Sequence, residues 1–291
     1  MSESLDRSTE VPELTAEEIQ ARVLHRDGLM LVIDKPAGLP VHRGPKGGAN
    51  LESSFDALRF GLPRPPVLAH RLDRDTSGCL VLGPHRKATA SLGLLFKHGR
   101  ISKTYWAVVE GGPVEDEGTI DMPLGRLNAE RGWWQKPDPD GQTAVTTWKV
   151  LGRGFFSSPA CGAETSETRS QRSEVGVSPN ITGGVNPPPQ SSPARGEGVV
   201  SASGSMPLTW LALKPVTGRT HQLRVHAAAM GWPIVGDNIY GNGPRFGEPR
   251  LHLHSREIVI PISKNKEPVR VVAPAPAHLQ ERLRACGWNG E

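Results

Sequence analysis

Apolar positions recur along this chain with two different periods, and the changes from one to the other predict its elements. LMLVID (29–34) reads as a strand running into a turn at Pro36, Ala37 and Gly38, and VLAH (67–70) and CLVLG (79–83) are short apolar runs bracketing a polar loop. From Arg86 to His98 the spacing becomes helical, with Ala88, Leu92, Leu95 and Phe96 inward and Gly99 closing the end. KTYWAVVE (103–110) returns to a period of two, so Lys103, Tyr105, Ala107 and Val109 share one face and Thr104, Trp106 and Val108 the other. A second helix is predicted over Thr220 to Met230, capped by Thr217 or Gly218 and ended by Gly231, with Leu223, Ala227 and Met230 facing the core. Strands recur at LHLHSREIVI (251–260) and PVRVVAP (268–274). Helices and strands do not alternate regularly and hairpin-like pairs are frequent. The pattern therefore predicts a single α+β domain with flanking helices on a mixed, mainly antiparallel sheet, spanning 21–291.

Two segments break the pattern. Residues 1–20 hold six acids against one base, an acidic tail expected to be disordered. Residues 157–205 contain no Leu, Phe, Trp, Tyr or Met, and 24 of the 49 are Ser, Gly or Pro, so too little surface is available to offset the entropy of ordering. Its flanks, TAVTTWKVL (143–151) and PLTWLALKP (207–215), both alternate like strands. The segment is thus expected to be a disordered insertion at the tip of a hairpin, where extra length costs little and removal should leave folding and activity nearly intact. A lid or partner-binding arm is the functional alternative.

Charge sharpens the picture. The net charge is +4 over 291 residues, and with the acidic tail and the insertion set aside the folded body carries +10. That surplus fits a polyanionic partner such as nucleic acid, although basic proteins without such a partner are common. Three scattered cysteines, Cys79, Cys161 and Cys286, form no CxxC pair, which points to a reducing, cytoplasmic setting. No run of 18 apolar residues occurs and the N-terminus lacks a secretion signal, so no membrane partner is expected. The phosphate-cradling GxxxxGK[ST] and GxGxxG motifs and the GxSxG nucleophile turn are missing as well. His252 and His254 share a strand face as a metal pair does, but no thiolate pair or HExxH helix accompanies them, so no metal is expected.

The densest polar cluster is HRLDRDTSG (70–78), where Asp73 and Asp75 lie among His70, Arg71 and Arg74. A carboxylate held among cations is ionised at neutral pH and can act as nucleophile or base. The same loop reads equally as one whose Asp, Thr and Ser side chains cap backbone groups. GRTHQLRVH (218–226) adds Arg219, His221, Arg224 and His226 on a helical stripe, which either grips a carboxylate or is a solvated face. Tyr105 and Tyr240 are the only tyrosines; Tyr105 beside Lys103 suits stacking on a nucleotide, or is simply a half-buried core ring. GDNIYG (236–241) reads as a turn. A glycoside hydrolase using Asp73 and Asp75 is disfavoured, since residues two apart on one loop do not flank a sugar.

Six blocks in order, VIDKPAGLPVH (32–42), HRLDRDTSG, the KTYWA strand, GRTHQLRVH, GWPIVGDNIYG (231–241) and LHLHS, resemble the RluA-type RNA pseudouridine synthases over roughly Val23 to Val272 apart from the insertion. The resemblance implies an α+β catalytic domain with an RNA cleft, isomerisation of uridines in structured ribosomal or transfer RNA, and no cofactor. It implies Asp73 as catalytic carboxylate, Arg224 as the cation paired with it, and Tyr105 packed on the target base and assisting proton removal from C5. Arg71 would fill the space left by the flipped base, and His70, Lys103, Arg219 and His221 would complete the RNA-contacting set. The S4 module that many relatives carry is expected to be absent, and the protein to act as a monomer without an obligatory protein partner. The competing expectation is a non-catalytic RNA-binding protein in which an Asp73–Arg224 pair is structural.

Overall fold

The structure, a computed structural model, describes residues 13–44, 47–128, 133–157, 205–245, 247–262 and 267–290; the acidic tail through residue 12 and residues 158–204 of the insertion lie outside the described residues. In chain order the strands are β1 (Val23–Arg26), β2 (Leu31–Lys35), β3 (Val67–Leu68), β4 (Ser77–Gly83), β5 (Ser102–Glu110), β6 (Glu117–Asp121), β7 (Leu124–Arg126), β8 (Gln135–Pro137), β9 (Val145–Ser157), β10 (Ser205–Pro215), β11 (Leu253–Ile260) and β12 (Val269–Val272). The helices are α1 (Ala16–Ala21), α2 (Arg86–Lys97), α3 (Gln222–Ala229) and α4 (Ala277–Ala285), with a 3₁₀ segment at Leu51–Leu58. Helix α1, closed by a Thr15–Glu18 capping box and burying Ile19 in the core, corrects the expectation of disorder for the last part of the acidic tail.

Strands of period two with apolar residues on both faces build a sheet that is covered on both sides. The main sheet runs β1-β2-β4-β11-β5-β10-β9-β6, with β12 added to β11 and β3 to β4. Among the described residues its pairings are antiparallel except β4 with β11, where His254 lies opposite Ser77 and Ser255 opposite Gly78. The alternation in β5 divides the core: Tyr105, Ala107 and Val109 pack with Leu211, Leu213, Leu223 and Leu253 on one face. Val108 and half-buried Trp106 pack with Leu208, Trp210, Leu279 and Leu283 on the other. Side chains buried this fully cost about 2–5 kcal/mol each when cut back to alanine, so the sheet is a stiff seat for its loops.

The hairpin expected around the insertion is formed by β9 and β10, whose register closes with Ser157 opposite Ser205, so the insertion leaves and re-enters at paired positions. Helix α2 buries Ala88 and Leu92, with Leu95 and Phe96 half-buried against the neighbouring cluster. Helix α3 departs from expectation at both ends. It begins at Gln222, and neither Thr217 nor Gly218 caps it; His221 is the N-cap, in a left-handed conformation with φ 54°. Leu223 and Ala227 are buried, whereas Met230 is 45% exposed, because the helix ends at Ala229 before the next inward position is reached. No described helix is long and apolar enough to cross a membrane.

Candidate active site

The loop between β3 and β4 is held from beneath. Lys35, at the end of β2, is completely buried, and its ammonium donates to the carbonyls of Pro36 (2.8 Å), Arg74 (2.8 Å) and Thr76 (2.9 Å). Burial pulls its pKa down to about 7, against the opposing pull of Asp75 and Asp73. The Gly38 amide also donates to Arg74 (2.9 Å), and the Thr76 amide closes a turn on the Asp73 carbonyl (3.2 Å). Gly78 follows with φ 102°, and a Cβ there would lie 2.3 Å from the Ser255 carbonyl oxygen, so only glycine lets β4 and β11 meet directly behind the loop. Within the loop Leu72 is buried, which turns Arg71 outward and leaves the Asp73 side chain 28% exposed.

Asp73 opens into a cavity of 390 Å³ between this loop, β5, the end of β10 and α3. Tyr105, Lys103, Arg71, Arg219, His221 and Arg224 line it too. Lys103 and Tyr105 project from one face of β5, as their spacing predicts, and both reach the cavity. Burial raises the Tyr105 pKa, outweighing its hydrogen bond with the Ser255 side chain, and lowers that of Lys103. His70 lines the cavity with its ring stacked on Phe96 at 4.4 Å, and its Nε2 accepts the Val81 amide (3.0 Å). Burial, reinforced by Lys103, pulls its pKa down to about 3, so it is neutral. Arg219 donates from Nε to the Thr143 carbonyl (3.0 Å). Gln222 ties the start of α3 to β9 by donating to Val145 and Thr146 while accepting from Thr217 and the Arg219 amide.

One expected contact is replaced by another. Arg224 does not pair with Asp73: its Nε and Nη2 meet the two carboxylate oxygens of Asp237 at 2.8 and 2.7 Å, with both side chains almost wholly buried. Two-pronged geometry satisfies guanidinium and carboxylate together, which a half-exposed Asp73 cannot match. Burial works against the charge of each. The partner's charge outweighs it, holding the Asp237 pKa low and the Arg224 pKa high. Asp237 also accepts the amides of Ile239 and Tyr240 (2.9 and 3.0 Å).

His221 does approach Asp73, with Nε2 3.8 Å from Oδ2; its Nδ1 lies 2.8 Å from the Tyr240 hydroxyl. Asp237, Tyr240 and Lys35 are therefore part of the site, although residue pattern alone marked two of them as turn residues and the third not at all. His252 and His254 are completely buried; His252 Nδ1 bonds the Arg250 carbonyl (2.7 Å) and His254 Nδ1 the Ser77 hydroxyl (2.9 Å).

This fold and motif order can be set beside known proteins. The sequence pattern of the RNA pseudouridylate synthase family matches residues 29–229. An uncharacterized RNA pseudouridine synthase of Zymomonas mobilis is 36% identical over 259 residues, covering 88% of this chain and 94% of that one. Another, from Synechocystis, is 30% identical over 294 residues, covering 94% and 72%. The solved structure of human RNA pseudouridylate synthase domain containing 4 shares the fold, with a TM-score of 0.62 and 24% identity across 92% of this chain and 95% of that one. The chain belongs to the RNA pseudouridylate synthase family and isomerises uridine to pseudouridine in RNA.

Proposed function

We propose that Asp73 is the nucleophile of this isomerisation, acting on a uridine extruded into the cavity beside Tyr105. The observation that carries the assignment is charge: among the described residues lining the cavity, Asp73 is the one carboxylate, facing Arg71, Lys97, Lys103, Arg219 and Arg224. A polyanion is drawn in by the cations and meets the single carboxylate of the lining. The isomerisation breaks the bond between N1 and C1′, turns the base, joins C5 to C1′, releases the C5 proton and adds one at N1. Atoms and electrons balance without an added reagent. Asp73 supplies the electron pair that holds the reacting fragment while the base turns.

Burial keeps Tyr105 a neutral phenol, so we assign it to packing on the base rather than to taking the C5 proton. We assign to Arg71, exposed beside buried Leu72, the filling of the space the flipped base leaves in the RNA, since a base reached by chemistry must first leave its stack. Lys103 and Arg219 contact the nucleotide backbone, while His70 is turned to the fold and shapes the wall. Arg224 supports the site through Asp237.

The test is Asp73→Asn. The variant should bind RNA with near wild-type affinity and form no pseudouridine; retained turnover would remove the assignment. We infer structured ribosomal or transfer RNA as the substrate and a cytoplasmic monomer as the working form. Pseudouridine mapping of total RNA from a strain lacking the gene, against its parent, identifies the target, and light scattering of the purified protein gives the mass in solution.

A further inference from the structure

The α3 N-cap presents its side chain to the site in an unusual way. His221 has φ 54°, a left-handed conformation unfavourable for a non-glycine residue, yet its side chain makes no capping bond. The imidazole instead bridges Tyr240 and Asp73: Nδ1 is 2.8 Å from the Tyr240 hydroxyl and Nε2 is 3.8 Å from Asp73 Oδ2. The Tyr240 oxygen accepts the Gln135 amide at 3.0 Å. With the Gln135 amide on its oxygen, the phenol can donate its one proton to Nδ1, the arrangement in which a neutral ring carries its proton on Nε2, facing Asp73. Tyr240 is itself seated by its amide on Asp237, which Arg224 grips.

We propose that His221 is a positioning residue for Asp73, its tautomer set by Tyr240, so that an Nε2–H donor holds one carboxylate oxygen and leaves the other to attack. The proposal rests on the assignment of Asp73 as nucleophile. At 3.8 Å the contact is longer than a hydrogen bond, and rotation of the Asp73 carboxylate closes it as the nucleotide enters; catalytic contacts commonly tighten on substrate binding. The chain from Arg224 through Asp237, Tyr240 and His221 then explains how a buried arginine with no bond to Asp73 serves the reaction.

The experiment compares kcat and KM on the RNA substrate for His221→Ala, His221→Gln, Tyr240→Phe and the His221→Gln/Tyr240→Phe double variant, with thermal unfolding of each as a check on folding. Glutamine places an amide N–H near the position of Nε2 and needs no tautomer. His221→Ala should lower kcat about tenfold or more with KM little changed, and His221→Gln should restore most of it. Tyr240→Phe should lower kcat in the wild-type background and have no further effect beside His221→Gln. Equal activity of the Ala and Gln variants, an effect on KM alone, or the same loss from Tyr240→Phe in both backgrounds would overturn the proposal. Asp73→Asn, run in parallel, separates the two claims. An active Asp73→Asn removes the nucleophile assignment and this proposal together, while an inactive one beside fully active His221→Ala removes this proposal alone.

Discussion

Arg224 on α3 and Asp237 in the turn 236–241 are joined by two parallel hydrogen bonds of 2.8 and 2.7 Å, with almost no solvent access to either side chain. Removing one partner strands a buried charge, which costs about 3–5 kcal/mol. Asp237→Asn should therefore lower the urea midpoint sharply and also loosen the Ile239 and Tyr240 amides that the carboxylate accepts. Arg224→Lys should be destabilising too, since an ammonium keeps the charge but not the fork. Asp237→Asn with wild-type stability and no turnover would show that the pair acts in chemistry and not in support.

The extent to which this arrangement is legible in the sequence follows from physical range. Strand β5 and helix α2 each keep one period over many residues, so faces and ends can be read from local spacing, and Lys103 and Tyr105 reach the same cavity as a result. The density of charge around Asp73 and along the QLR helix marks both in the sequence. The partner of Arg224 was not legible, because a fork 13 residues away depends on how the aperiodic turn 236–241 folds back on α3, and no spacing rule tells Asp73 from Asp237. Lys35 carries no signal in the local pattern. Its importance arises only when carbonyls of Pro36, Arg74 and Thr76 converge on it.

Lys35→Met tests that convergence. Three inward-facing carbonyls would lose this donor; that of Arg74 keeps the Gly38 amide, while those of Pro36 and Thr76 would be left unsatisfied at roughly 1–3 kcal/mol each. The variant should unfold at lower urea and show faster hydrogen exchange at the Gly38 and Thr76 amides, with kcat reduced because the Asp73 turn is less fixed. A variant as stable and as protected as wild type would show that the loop is held by other means.

Buried histidines set the response to acid. His254 has a pKa of about 3 in the fold, pulled down by burial from 6.5, so between these values the unfolded chain binds a proton that the folded chain refuses. Unfolding gains protons there, and the stability present above pH 6.5 is lost as pH falls toward 3, by up to about 1.4 kcal/mol per pH unit. Asp34, raised to about 6 by burial, acts in the opposite direction, since its folded form keeps the proton longer. Comparison of wild type with His254→Gln isolates the histidine. Urea midpoints between pH 6.5 and 5 should fall less steeply for the variant, and parallel curves would exclude His254 as a source of the acid sensitivity.

Salt dependence separates the two kinds of cation assigned to RNA. Lys103 faces the cavity from β5, and as a phosphate contact it should release condensed counterions, so Lys103→Ala should reduce the slope of log affinity against log salt by about 1. Arg71 stands on the rim next to Asp73, and as a filler of the flipped-base space its work is done between bases, where counterions are few. Arg71→Ala should thus leave the slope near the wild-type value while lowering kcat, because the uridine returns to its stack more readily. The readout is single-turnover pseudouridine formation and RNA affinity for each variant across 50–200 mM salt, the range over which such slopes are resolved. If Arg71→Ala flattens the slope as much as Lys103→Ala and spares kcat, Arg71 is another phosphate contact and base extrusion must be held open by a different side chain.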